Sequence, residues 1–228
     1  MKHLIRLCVL VGVLLVLPLF IGQSHAQFPG MDPSMNLTGM MRDMQFGPLA
    51  LLSRSEVQKE LKLNKSQIKE VEKLQKEQST SFNDRIKGKR SDPNDTAQMM
   101  QTMKEIQVIQ TDLSSRAKAL LTDEQRQRLG EVRLQAMGLQ AFQDPELQTA
   151  LAMTPDQKTS LSALNSEYML VKANIKPNIF NAGSYKKKME AREKEYQEKS
   201  VKILTADQNS LLKKMQGEPY KDLKKITG

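Results

Sequence analysis

The sequence predicts an all-α protein built from duplicated helical hairpins, elongated or cradle-like, with a thin core. Two observations lead there. The first is a five-residue pattern that occurs four times: LNKSQ from Leu63, LTDEQ from Leu121, MTPDQ from Met153 and LTADQ from Leu204. Each copy has an apolar residue, then Thr or Asn, two variable positions, and Gln. This is the signature of a helix start. The Thr or Asn side chain at the N-cap accepts from a backbone N–H of the first turn, and the Gln side chain reaches back to the N-cap N–H. The residues concerned are Leu63, Asn64 and Gln67; Leu121, Thr122 and Gln125; Met153, Thr154 and Gln157; and Leu204, Thr205 and Gln208. The second observation is composition. Aromatics are only 4% of the chain and Trp is absent, whereas Gln, Lys, Leu and Met, all good helix formers, are abundant.

Residues 1–26 read as a cleaved signal peptide: a start charged by Lys2 and Arg6, an apolar run from Leu7 to Gly22, and small residues at Ser24 and Ala26. The protein is therefore expected in the periplasm or secreted. Residues 27–45 hold Pro29, Gly30, Pro33 and Gly39 and lack helical periodicity, which predicts a flexible arm. Five methionines lie in it, Met31, Met35, Met40, Met41 and Met44. They fit either a soft thioether site for Cu(I) or adaptable apolar contacts.

Residues 46–139 form the first expected helical repeat. A short helix over Ser55 to Leu61 leads into LNKSQ, and Ile68, Val71, Leu74, Phe82 and Ile86 then follow helical steps. Gly88 to Asp95 reads as a loop. Asp95 or Asn94 would cap the next helix, where Met99, Met103, Ile106, Gln110, Leu113, Ala117 and Leu120 alternate steps of four and three, a seam for packing on another helix. LTDEQ restarts the chain, and Leu129, Val132, Ala136 and Leu139 continue the apolar face.

Residues 140–217 repeat the plan. Glu146-Leu147-Gln148 precedes MTPDQ by the offset at which Glu56-Val57-Gln58 precedes LNKSQ. Pro155 suits the first helical position. Leu161, Leu164, Tyr168, Val171 and Ile175 mark one long helix. After the loop Lys176 to Ser184 comes a charged return helix, with Glu190–Lys194 and Glu195–Lys199 at supportive spacing. LTADQ opens the last helix, which Gly217 and Pro219 end, and residues 218–228 form a basic tail.

Several kinds of chemistry are excluded beyond the leader. Cys8 is the only cysteine, and His3 and His25 the only histidines, so residues 27–228 have no disulfide, no Cys/His metal site and no imidazole base. No Gly-rich phosphate loop occurs. An enzyme is not expected, nor any cofactor. The net charge of +9 suits acidic or anionic partners, and in an exported chain these are proteins or surfaces rather than nucleic acid.

The motifs, the leader and the helical hairpins between motifs resemble the LTXXQ family of periplasmic proteins, the Spy/CpxP-like group. LTDEQ and LTADQ match the family pattern fully; LNKSQ and MTPDQ match it in part. The resemblance implies helical cradles with two motifs per chain, often paired as antiparallel dimers with a basic and apolar concave surface. It also implies activity as an ATP-independent chaperone or holdase on unfolded or stress-exposed envelope proteins. The alternatives are a regulatory module docking on a membrane stress sensor, or a Cu(I)-binding envelope protein using the N-terminal methionines. This chain departs from the family in carrying four motifs, so one chain can act as a monomeric pseudo-dimer or pair as a homodimer, and in lacking His, which fits the metal-sensing branch poorly.

The motif itself reads as construction. Client contacts are expected on the long-helix faces: Met99, Met100 and Met103 as polarizable apolar groups, Arg85, Lys87, Lys89 and Arg90 around the first loop, and Lys186, Lys187 and Lys188 at the matching place in the second repeat. For Met103 the seam position favours core instead; for Met100, off the seam, both readings stand.

Overall fold

A computed structural model describes residues 37–87, 95–175 and 182–227. The expected leader, Met31, Met35, Lys89 and Arg90 lie outside the described residues. Among the described residues the protein is all-helical, without a strand.

The chain opens with α1 (Leu37–Phe46), α2 (Pro48–Leu52) and α3 (Ser55–Glu60), followed by the long pair α4 (Lys65–Lys87) and α5 (Thr96–Ala119), and then α6 (Asp123–Met137). A 3-10 turn over Gly138–Gln143 leads to α7 (Pro145–Ala150), the second long pair α8 (Pro155–Asn174) and α9 (Ala182–Ile203), α10 (Ala206–Gln216) and a terminal α11 (Leu223–Thr227). Within each long pair the two helices pack on each other.

Helix α1 corrects the expected flexible arm, because residues 37–45 belong to a packed helix. Its buried positions are Gly39, Arg42 and Phe46. They keep helical spacing, yet only one of the three is a large apolar residue, so a search for apolar periodicity passes over them. Next to α1, Leu49, Leu51 and Leu52 of α2 are almost completely buried and fill the centre of the first half with Val57, Val71, Leu113 and Val132.

The entries to both long pairs are alike. Gln58 Nε2 donates to the Leu52 carbonyl and Gln148 Nε2 to the Phe142 carbonyl, each at 2.8 Å. Both short helices then end in a Schellman turn. Leu63 N donates to Gln58 O and Lys62 N to Lys59 O; Met153 N donates to Gln148 O and Ala152 N to Thr149 O. Such a turn needs a left-handed residue, and here Lys62 (φ 51°) and Ala152 (φ 46°) take the place usually held by glycine. Ala152→Gly is therefore expected to stabilise the protein by roughly 0.5–1 kcal/mol, read as a higher urea midpoint at an unchanged slope.

The long pairs are stitched differently. Between α4 and α5, Gln78 donates to the buried Gln110 at 3.0 Å, and Gln110 donates on to the Asp43 carbonyl of α1 at 3.0 Å. Arg116 forms a bidentate pair with Glu77 (2.7 and 2.8 Å). Between α8 and α9, Tyr168 and Tyr196 meet with ring centroids 5.3 Å apart, and Tyr196 donates to Glu167 at 2.6 Å. That bond, with burial and nearby negative charge, pushes the Tyr196 hydroxyl up to about 12. Lys199 pairs with Glu195 at 3.0 Å, but Glu190 is taken by Lys224 of α11 at 2.7 Å.

The basic tail is not loose. Tyr220 and Ile226 are buried, and α11 packs on α6.

Candidate functional site

The four motif copies meet in two pairs. At the base of the first long pair, Gln67 N donates to Asn64 Oδ1 (2.9 Å) and Asn64 N donates to Gln67 Oε1 (3.0 Å). Thr122 and Gln125 form the same reciprocal box, at 3.3 and 3.0 Å. The two glutamine amides then face each other. Gln67 Nε2 donates to Gln125 Oε1 at 2.8 Å, and Gln125 Nε2 donates back to Gln67 Oε1 at 3.4 Å. The second N–H of each amide reaches the backbone that ends a helix across the corner: Gln67 to Leu120 O at 2.8 Å, Gln125 to Leu61 O at 3.0 Å.

The second long pair closes in the same way. Thr154 with Gln157 and Thr205 with Gln208 are capping boxes. Gln157 and Gln208 exchange amide hydrogen bonds at 2.7 and 3.0 Å, while Gln157 donates to Ile203 O (3.0 Å) and Gln208 to Leu151 O (2.9 Å).

Each pair is a cyclic amide dimer in which both N–H groups and the oxygen of each side chain are used. Glutamate would serve a capping box as well as glutamine does, but only an amide can accept from the N-cap and donate to two acceptors at once. The invariable Gln at four N3 positions was a sequence signal for this clasp; capping alone explains the position and leaves the choice of amide unexplained. Gln does not titrate, so the clasp holds the base of each long pair closed at any pH in which the protein folds. The motif leucines 121 and 204 and Met153 are buried beneath the corners, and Leu63 packs partly against the core.

A second group of side chains joins the two halves. Arg133 of α6 pairs with Asp144 Oδ2 at 2.7 Å and with Asp43 Oδ1 of α1 at 3.1 Å, and donates to the Phe46 carbonyl at 3.2 Å. Asp144 is buried and also caps α7, accepting from Glu146 N at 2.9 Å. Burial opposes its ionisation, but the Arg133 guanidinium and the Glu146 N–H outweigh it and hold the carboxyl below its usual range. Beside this pair a cleft of about 380 Å³ opens between α6, α7 and α10, floored by Leu134, Leu147 and Met215.

The expected client-contact residues scatter. Met99 is exposed, Met103 half-buried and Met100 buried at 8% exposure. Met100 is thus core rather than free contact surface, because one residue of helix rotation turns it onto a covered flank. Met99 stands exposed although it lies on the seam. Arg85 meets Glu105 at 3.2 Å. Arg85 is thereby ion-paired, and Lys186, Lys187 and Lys188 are exposed in the first turns of α9. Arg85 and these lysines lie on different long pairs. Met41 and Met44 face outward from α1.

Among the described residues no group of three or more His, Cys, Asp or Glu could hold a metal ion, and no helix is long and apolar enough to cross a membrane. The chain matches no family model, no curated protein and no solved structure.

Proposed function

We propose that this chain is an exported, ATP-independent holdase of the Spy/CpxP-like, LTXXQ-bearing kind, acting in the periplasm or outside the cell on unfolded or stress-exposed proteins. In this reading the second half duplicates the first, and one chain with four motifs supplies what two shorter chains supply as a dimer. The observation that supports it is the outer surface of the long helices. Val108 of α5, Leu170 of α8 and Val201 of α9 stand 69%, 45% and 50% exposed among mainly polar neighbours, and Met99 joins them. Isolated apolar side chains on a polar surface of a basic chain can hold an unfolded, acidic-leaning chain weakly at many points, while the clasps keep each hairpin rigid.

The purified protein, without nucleotide, is expected to suppress aggregation of an unrelated denatured client at several-fold molar excess. Replacing Val108, Leu170 and Val201 together by Ser is expected to weaken that suppression and leave the melting temperature within a few degrees. Absence of suppression by the wild type would overturn the reading. If a single envelope sensor were then retained specifically, the alternative of a regulatory docking module would take its place.

A further inference from the structure

The tail after α10 is held in a manner that resembles a bound peptide. Gln135 of α6 clamps its main chain: Nε2 donates to Gln216 O (2.6 Å) and Glu218 O (2.9 Å), and Oε1 accepts from Tyr220 N (2.8 Å). Arg128 Nη1 adds a bond to Glu218 O at 2.8 Å. These contacts read backbone, which any sequence offers. Beyond the clamp, Tyr220, Leu223 and Ile226 repeat every third residue and point inward, with Tyr220 and Ile226 buried and Leu223 packed against the core. Lys221, Lys224 and Lys225 remain outside. The surroundings supply carboxylates, of which Glu60 is itself paired with Arg128 at 2.6 Å. Lys224 pairs with Glu190 of α9 at 2.7 Å, and Glu56 and Glu60 of α3 lie close enough to act on Lys225 and Tyr220.

The fit of this occupant is imperfect. The Tyr220 hydroxyl is buried without a hydrogen-bond partner. Burial first, and then the charges of Asp222, Glu60 and Glu56, push it up to about 12. A Phe or Leu side chain would lie there without stranding a donor. The segment leaves α10 through Gly217, where the positive φ (60°) and the Glu131 carboxylate, within 2.3 Å of where a Cβ would sit, require glycine.

We propose that the face of α6 bordered by α3 is a peptide-binding groove for a basic segment with apolar side chains at three-residue spacing, and that residues 218–227 are its displaceable resident. The proposal does not rest on the holdase reading. It assigns the groove to positively charged segments, whereas the exposed faces of the long helices suit acidic ones.

The test uses the full chain and a fluorescent synthetic peptide of residues 218–227 as the probe, with binding read by anisotropy. Lys224→Glu loosens the resident at its solvent edge and is expected to bind the probe several-fold tighter than the wild type. Tyr220→Phe removes the stranded hydroxyl, tightens the resident, and is expected to bind the probe several-fold more weakly. Glu190→Lys added to Lys224→Glu lets the resident pair again and repels Lys224 of the probe, and is expected to reverse the gain. Ile226→Asp should release the resident furthest if circular dichroism shows it folded; if it unfolds, the other variants decide. Equal affinity across wild type, Lys224→Glu and Tyr220→Phe overturns the proposal, as does no binding in any of them. A dimeric mass for Lys224→Glu also overturns it, because the tail would then serve a second copy of the chain.

Discussion

Replacing Arg133 with Met is expected to lower the unfolding free energy by about 3–5 kcal/mol, the usual cost of removing one partner from a buried ion pair. The residue that suffers is Asp144, which is 3% exposed and is held ionised chiefly by the guanidinium 2.7 Å away. Phe46 O and Asp43 lose a donor in the same step. The effect extends beyond one contact, because Arg133 is the point where α1, α6 and the start of the second half are tied together. The pH dependence follows from the direction of the Asp144 shift. Its folded-state pKa is depressed, so in the wild type its contribution is complete above the unfolded carboxyl value near ~3.9 and fades as pH falls through the lower folded value. In Arg133→Met the carboxyl is buried without its cation, its pKa rises, and protonation relieves the cost. The stability gap between variant and wild type should be widest at neutral pH and narrow as pH falls toward 4, as read by melting temperatures across that range.

Much of the fold could be read from the sequence where local signals and burial agree. The all-helical class, the entry of four helices at the Thr or Asn positions, Asp95 as the cap of α5, and the buried stripe of Leu161, Leu164 and Tyr168 all rest on capping and periodicity, which are local. What was missed depends on tertiary contacts. Helix α1 buries Gly39 and Arg42, which no apolar pattern announces. In the tail, Tyr220, Leu223 and Ile226 do keep a period of three, but three lysines between them gave the segment the look of a solvated end. Met99 and Met100 exchanged roles: the seam position is exposed and its off-seam neighbour is buried. The ion pair of Arg133 with Asp144 joins residues whose proximity is set by the turn at 138–143, and no local signal paired them.

The motif itself was legible as a cap and not as a clasp, and the second large effect separates the two. At N3 of a helix, Glu caps as well as Gln and adds favourable charge near the helix N-terminus, so a motif that only capped would tolerate Gln67→Glu or gain slightly from it. In the paired arrangement the same change removes both donors of Gln67. It strips the bond to Leu120 O, and it sets a carboxylate beside the oxygen of Gln125. Two bonds lost in a half-buried corner, together with repulsion between acceptors, should cost about 2–3 kcal/mol. By comparison Thr122→Ala, which removes one cap, should cost about 1 kcal/mol. Because a neutral carboxyl can donate again, the Gln67→Glu penalty should shrink on acidification through the glutamate range.

The most direct measurement is urea unfolding of Gln67→Glu against wild type at pH 7. A loss of about 2–3 kcal/mol is the result expected if the four motifs work as two amide clasps. A variant as stable as the wild type, or more stable, would mean that each motif caps its own helix and that the facing glutamines contribute nothing to holding the hairpins closed.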